Sequence, residues 1–142
     1  MSADVVSDGE WTRPVPRKDA ISGPYFEAAA EGRLTIQRCP KCGNRQFYPR
    51  AACTQCGATP EWEEASGRGT VHTFTVIRQN HAKPFKDELP YVVAIVELDE
   101  GPRMMGNVTG CDPDDVHIGM PVEVYFRLAD EAVGVPFWRP PT

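Results

Sequence analysis

The sequence predicts a mainly β fold in three stretches: a flexible N-terminal arm over residues 1–21, a helix with a four-cysteine metal module over 22–62, and a five-stranded OB-fold barrel over 63–142. Three observations predict it. Four of the five cysteines fall in two C-x-x-C pairs ten residues apart, CPKCG at 39–43 and CTQCG at 53–57. Beyond them, runs rich in β-branched residues are separated by Gly, Pro and Asp. Their order, three strands, a short helix and two more strands, is that of an OB-type barrel.

Residues 1–21 mix charges with Pro14 and Pro16 and carry no hydrophobic period, so they read as an arm ordered where something docks it, with Trp11 its most notable residue. Ser22 is placed to cap, Pro24 suits a first helical turn, and Gly32 stops a helix over 24–31 that puts Tyr25, Phe26 and Ala29 on one side. LTIQ, 34–37, is a short strand running into the first cysteine pair. After the cysteines, TVHTFTVIRQ carries Val71, Thr73, Thr75 and Ile77 on one face and His72, Phe74 and Val76 on the other, a pattern that does not choose the inward face. NHAKPFKDEL, 80–89, is a polar loop around Pro84. PYVVAIVELDE has one clean apolar face, Val92, Ala94, Val96 and Leu98, and the turn at Glu100-Gly101-Pro102 joins it to RMMGNVTG as a hairpin partner. In CDPDDVHIG, Asp112 caps and Pro113 opens one or two helical turns. PVEVYFRL, 121–128, and Val133–Trp138 are the last strands, before the tail RPPT.

With 41% hydrophobic and 25% charged residues the composition is that of a soluble globular chain, and no apolar run approaches the roughly 20 residues of a membrane helix. The N-terminal stretch lacks the basic start and apolar run of a signal peptide, so a cytoplasmic location is expected. There, paired cysteines serve as metal ligands or redox groups more often than as disulfides. The net charge of −5 is unevenly spread: residues 1–60 hold eight Lys/Arg against six Asp/Glu, and residues 61–142 hold seven against fourteen. Between Glu31 and Glu61 there is no carboxylate, while Arg33, Arg38, Lys41, Arg45 and Arg50 all fall there.

Each C-x-x-C pair can turn two sulfurs toward one ion, and two such knuckles complete a tetrahedron. The glycine after each pair tolerates the left-handed backbone of a knuckle. Cys39, Cys42, Cys53 and Cys56 are therefore the expected ligands of one structural Zn2+, with no coordination position left for water or substrate. A four-thiolate cage also suits rubredoxin-type iron, although the ten-residue link looks like that of a zinc ribbon.

The helix with Phe26, the segment EGRLTIQRCPKCGNRQFYPRAACTQCG, the strand PYVVAIVELDEG, then RMMGNV, CDPDDVHIGMPVEVYF and a terminal FWRP together resemble the DUF35 family over residues 22–140. Members of that family pair a rubredoxin-like zinc ribbon with an OB-fold and occur beside thiolase-fold enzymes acting on acyl-CoA, including thiolase-like aldolases of sterol side-chain breakdown. Some are fused to MaoC-type enoyl-CoA hydratases. The resemblance implies a non-catalytic accessory subunit that forms a hetero-oligomer with a thiolase-fold acyl-CoA enzyme, with a retro-aldolase of sterol degradation foremost. It also implies help in forming the acyl-CoA site.

Tyr25, Phe26, Arg38, Arg45, Tyr48, Arg50 and Phe85 are the candidate contacts to that partner or to coenzyme A, with core packing the competing role of the aromatics and solvated charge that of the arginines. The alternative function is a single-stranded nucleic-acid binder, since an OB-fold with a zinc ribbon invites it. The acidic barrel half argues against it, because a single-strand groove needs cations along its path. His72, His81 and His117 stand without a paired nucleophile or carboxylate at recognisable spacing. Cys111, in acidic GCDPDD, is discouraged from ionising.

Overall fold

In the computed structural model, which describes residues 2–7 and 9–142, the chain opens with a two-residue strand, β1 (Val5–Val6). Helix α1 (Gly23–Ala30) follows. Ser22 makes no side-chain cap; in the turn before the helix the Asp19 carboxylate accepts the N–H groups of Ile21 and Ser22 at 2.9 and 2.7 Å. Pro24 stands in the first turn, and Gly32, at φ +84°, ends the helix in a conformation that a Cβ would oppose.

The metal module is a small antiparallel sheet. β2 (Thr35–Arg38) lies between β3 (Arg45–Gln46) and β4 (Glu61–Glu64). Strand β4, sequence EWEE, carries no apolar alternation and is a strand because its backbone pairs with β2, Thr35 opposite Glu64 through Arg38 opposite Glu61.

The barrel consists of β5 (Arg68–Ile77), β6 (Tyr91–Leu98), β7 (Arg103–Val108), β8 (Pro121–Asp130) and β9 (Val133–Arg139). One helical turn, α2 (Lys83–Lys86), lies in the loop after β5, and a 3-10 turn at Pro113–Asp115, capped by Asp112, precedes β8. Neighbours pair antiparallel in the order β8-β5-β6-β7, β8 also pairs with β9, and β7 closes on β9 in parallel through one residue pair, Val108 and Trp138. The register of β5 shifts between Val71 and Thr73. This bulge resolves the ambiguous alternation: Gly69 and Val71 face inward before it, Phe74 and Val76 after it. In β6 the expected face, Val92, Ala94, Val96 and Leu98, is buried throughout. These residues share one cluster with Phe126 and Trp138 of the barrel, Tyr25 and Ala29 of α1, and Leu34 and Ile36 at the root of the metal module.

The N-terminal arm, expected to be flexible, is docked. β5 covers β8 only at residues 121–123, which leaves the further edge of β8 free, and β1 pairs there in parallel with Phe126 and Arg127. The Ala3 N–H donates to the Gly32 carbonyl at 2.6 Å, and the Arg139 guanidinium meets the Asp4 carboxylate at 2.6 Å. Among the described residues no helix is long and apolar enough to cross a membrane.

Candidate metal centre and apolar cleft

The two knuckles are built alike. The Gly43 N–H donates to the Cys39 carbonyl and the Gly57 N–H to the Cys53 carbonyl, both at 2.9 Å, with the glycines at φ +78° and +80°. Each first cysteine donates its own amide across the turn, Cys39 to Asn44 at 2.8 Å and Cys53 to Ala58 at 2.7 Å. The four Sγ atoms of Cys39, Cys42, Cys53 and Cys56 lie within 4.8 Å of one another, with Cys39–Cys56 at 3.5 Å and Cys42–Cys53 at 3.6 Å. Sulfurs about 2.3 Å from a tetrahedral zinc stand roughly 3.8 Å apart, so the donor set fits a structural zinc ion. The amides of Cys56 and Gln55 point at Cys53 and pull its thiol down to about 6, and those of Cys42 and Lys41 lower Cys39. Without the ion its neighbouring cysteines push the Cys42 thiol up to about 12, so the site favours the thiolate at Cys39 and Cys53 first. Zinc bound here supplies folding energy, and four thiolates leave it no open position for chemistry.

Two residues behind the knuckles carry no signal in the sequence. Gln37 and Gln46 are buried, and the Gln46 amide donates to Gln37 Oε1 at 2.8 Å. Gln37 also receives the Arg50 N–H and donates to the Arg50 carbonyl, both at 2.9 Å, while Gln46 receives the Thr54 N–H at 2.9 Å. The pair therefore ties β2 and β3, which flank the first knuckle, to the loop that delivers the second. Its partners lie 6–13 residues away along the chain, so only the folded loop reveals it.

A cleft of about 620 Å³ opens between the metal module, α1 and the barrel wall. It collects four of the sequence candidates, Tyr25, Phe26, Tyr48 and Phe85, together with Phe47, Tyr91, Val93 and Met105. None of its lining residues is Lys, Arg, Asp or Glu. Tyr25 is 4% exposed and belongs to the core, where burial pushes its phenol above the usual range. It lines the cleft from the core side. Tyr48, 49% exposed, and Met105, 54% exposed, form the rim, and the Met105 N–H donates to Tyr48 Oη at 3.2 Å. That bond joins the ribbon to β7 at a residue with no ladder partner in β9. Phe85 is half-buried and stacks near Tyr91, ring centres 6.1 Å apart.

The arginines lie elsewhere. Strand β4 brings Glu63 to Arg38 and Arg45, at 3.7 and 2.8 Å, so two of the three arginines named as candidate contacts to a partner or coenzyme A already face a carboxylate. The stretch without acids along the chain is thus not without acids in space. Arg50 is exposed. His72, His81 and His117 are all exposed and lie on separate segments. Burial, with Asp115 and Asp112 nearby, raises the Cys111 thiol.

The model of the ChsH2 rubredoxin-like zinc ribbon domain matches residues 26–63, and that of the ChsH2 C-terminal OB-fold domain matches 62–127. A probable enoyl-CoA hydratase alpha subunit of Thermomonospora curvata is 38% identical over 128 residues, 90% of this chain and 40% of that protein. The 3-oxo-4,17-pregnadiene-20-carboxyl-CoA hydratase alpha subunit of Mycobacterium tuberculosis is 38% identical over 116 residues, 80% of this chain and 35% of that protein. The chain thus spans well under half of either hydratase subunit. A DUF35 domain-containing scaffold protein of Methanothermobacter thermautotrophicus is 44% identical over 100 residues, 69% of this chain and 74% of that one. Among solved structures, a chain of an Ltp2-ChsH2(DUF35) aldolase is 38% identical and superposes with a TM-score of 0.78 over 88% of this chain and 98% of its own. With the ribbon, the barrel and the cysteine cluster all matched, this chain belongs to the DUF35 family.

Proposed function

We propose that this protein is a non-catalytic accessory subunit that binds and stabilises a thiolase-fold acyl-CoA enzyme, a retro-aldolase acting on a sterol side-chain thioester. The observation that carries the reading is the uncharged cleft with its exposed Tyr48 and Met105 rim, in a chain that superposes on the DUF35 chain of an aldolase along nearly all of that chain's length. The metal module, rigid once its thiolates hold zinc, serves as the platform, and exposed aromatic side chains are the usual anchors of such interfaces. Phe26, Tyr48 and Phe85 are the proposed contacts, Arg50 an accessible cation outside the cleft, and the cleft a wall of the acyl-CoA channel. A link to a MaoC-type hydratase belongs to the same reading, since two relatives are named as hydratase alpha subunits.

The test is co-expression with a thiolase-fold acyl-CoA enzyme of the same genome, followed by co-purification and an assay of acyl-CoA cleavage with and without this subunit. Co-elution and a partner that loses activity or stability alone are expected. Independent elution with equal partner activity would overturn the proposal.

A further inference from the structure

Arg13, from the middle of the arm, is only 15% exposed in its side chain. Its guanidinium lies between two rings, 5.0 Å from the centre of Phe85 and 5.2 Å from that of Phe137. Its Nε donates to the Glu88 carboxylate at 3.1 Å and one terminal nitrogen to Asn107 Oδ1 at 2.9 Å. Asn107 is itself oriented, its Nδ2 donating to the Val92 carbonyl at 2.9 Å. One planar cation from the arm thus bridges the 80–89 loop, through Phe85 and Glu88, to β7, through Asn107. Phe85 and Asn107 both line the cleft. Trp11 braces the same spot, edge-on to Phe137 at 6.3 Å and under the Arg127 guanidinium at 5.4 Å.

We infer that Arg13 is a latch: through it the N-terminal arm fixes the 80–89 loop against β7 and sets the width of the cleft at its Phe85 rim. Stacking between two rings while reaching two acceptors at different angles requires a planar, forked cation, which lysine is not. The inference concerns this chain alone and holds whichever enzyme docks.

Amide hydrogen exchange on the full chain tests it, comparing wild type with Arg13→Ala, Arg13→Lys and Asn107→Ala. Exchange at 80–89 is expected to quicken about tenfold in Arg13→Ala and nearly as much in Arg13→Lys, with β6 and residues 33–60 unchanged within about twofold. Fluorescence of anilinonaphthalene sulfonate, an apolar dye, is expected to rise about twofold or more as the rim loosens. If Arg13→Ala does not fold, Asn107→Ala, which removes one acceptor, gives the same local reading. Unchanged exchange at 80–89 overturns the latch, as does a rise spread evenly through the barrel. A loosened loop without increased dye binding overturns the connection to the cleft.

Discussion

Gln46 ties β2 to the loop that delivers the second knuckle, so its loss takes one of two donors from the buried Gln37 Oε1 and leaves the part-buried Thr54 N–H without its acceptor. Leaving buried polar groups unsatisfied costs about 1–3 kcal/mol. Gln46→Ala is therefore expected to keep all four thiolates yet release zinc faster to a chromogenic chelator than wild type does; an unchanged release rate would show that the knuckles stand without this support. Gly134 is constrained differently. A Cβ there would lie 2.4 to 2.6 Å from backbone atoms of Ala29 and Ala30, and backbone cannot step aside as a side chain can. Gly134→Ala pushes α1 off β9, at a cost of about 1–3 kcal/mol, measurable as a lower urea midpoint. The cysteines were legible in the sequence because knuckle chemistry is local, set within five-residue words. Gln37, Gln46 and Gly134 were not, because their reasons lie across a loop or across a helix–strand contact.

Elements divide along the same line. Strand β6 was readable because nothing interrupts its period of two, whereas in β5 the extra residue at His72 exchanges the two faces halfway. Strands β1 and β3 are two residues long and β4 is polar, so pairing alone creates them. The apolar cleft was invisible for a related reason: its residues come from α1, the ribbon, the 80–89 loop and β6, β7 and β9, and only the fold gathers them. The metal module itself has little interior beyond Leu34, Ile36 and the two glutamines, so its metal supplies much of its stability. A strong chelator is expected to raise amide exchange first across 33–60, with β6 and β8 protected for longer. Simultaneous loss of protection in ribbon and barrel would show instead that they unfold together.

At the scale of the whole molecule, charge and topology constrain what it binds. The outer face of β6 and β7 is where OB-folds commonly hold oligonucleotides, and here the cleft beside it is lined by uncharged residues, those of α1 and the segment 47–49 included. With fourteen acids against seven bases over residues 61–142, single-stranded DNA is expected to bind weakly and to be released near physiological salt; submicromolar affinity at that salt would refute this. The seam of the barrel has a different consequence. Val108–Trp138 is the one ladder pair between β7 and β9 among the described residues, and further along that edge the Met105 N–H is taken by Tyr48 from the ribbon. Two beads along the chain are thus joined in space, by this bond and by the core cluster they share. Residues 63–142 expressed alone are expected to expose that edge and to elute as oligomers joined strand to strand, and any exchange of barrels between relatives has to carry residues 47–49 with it.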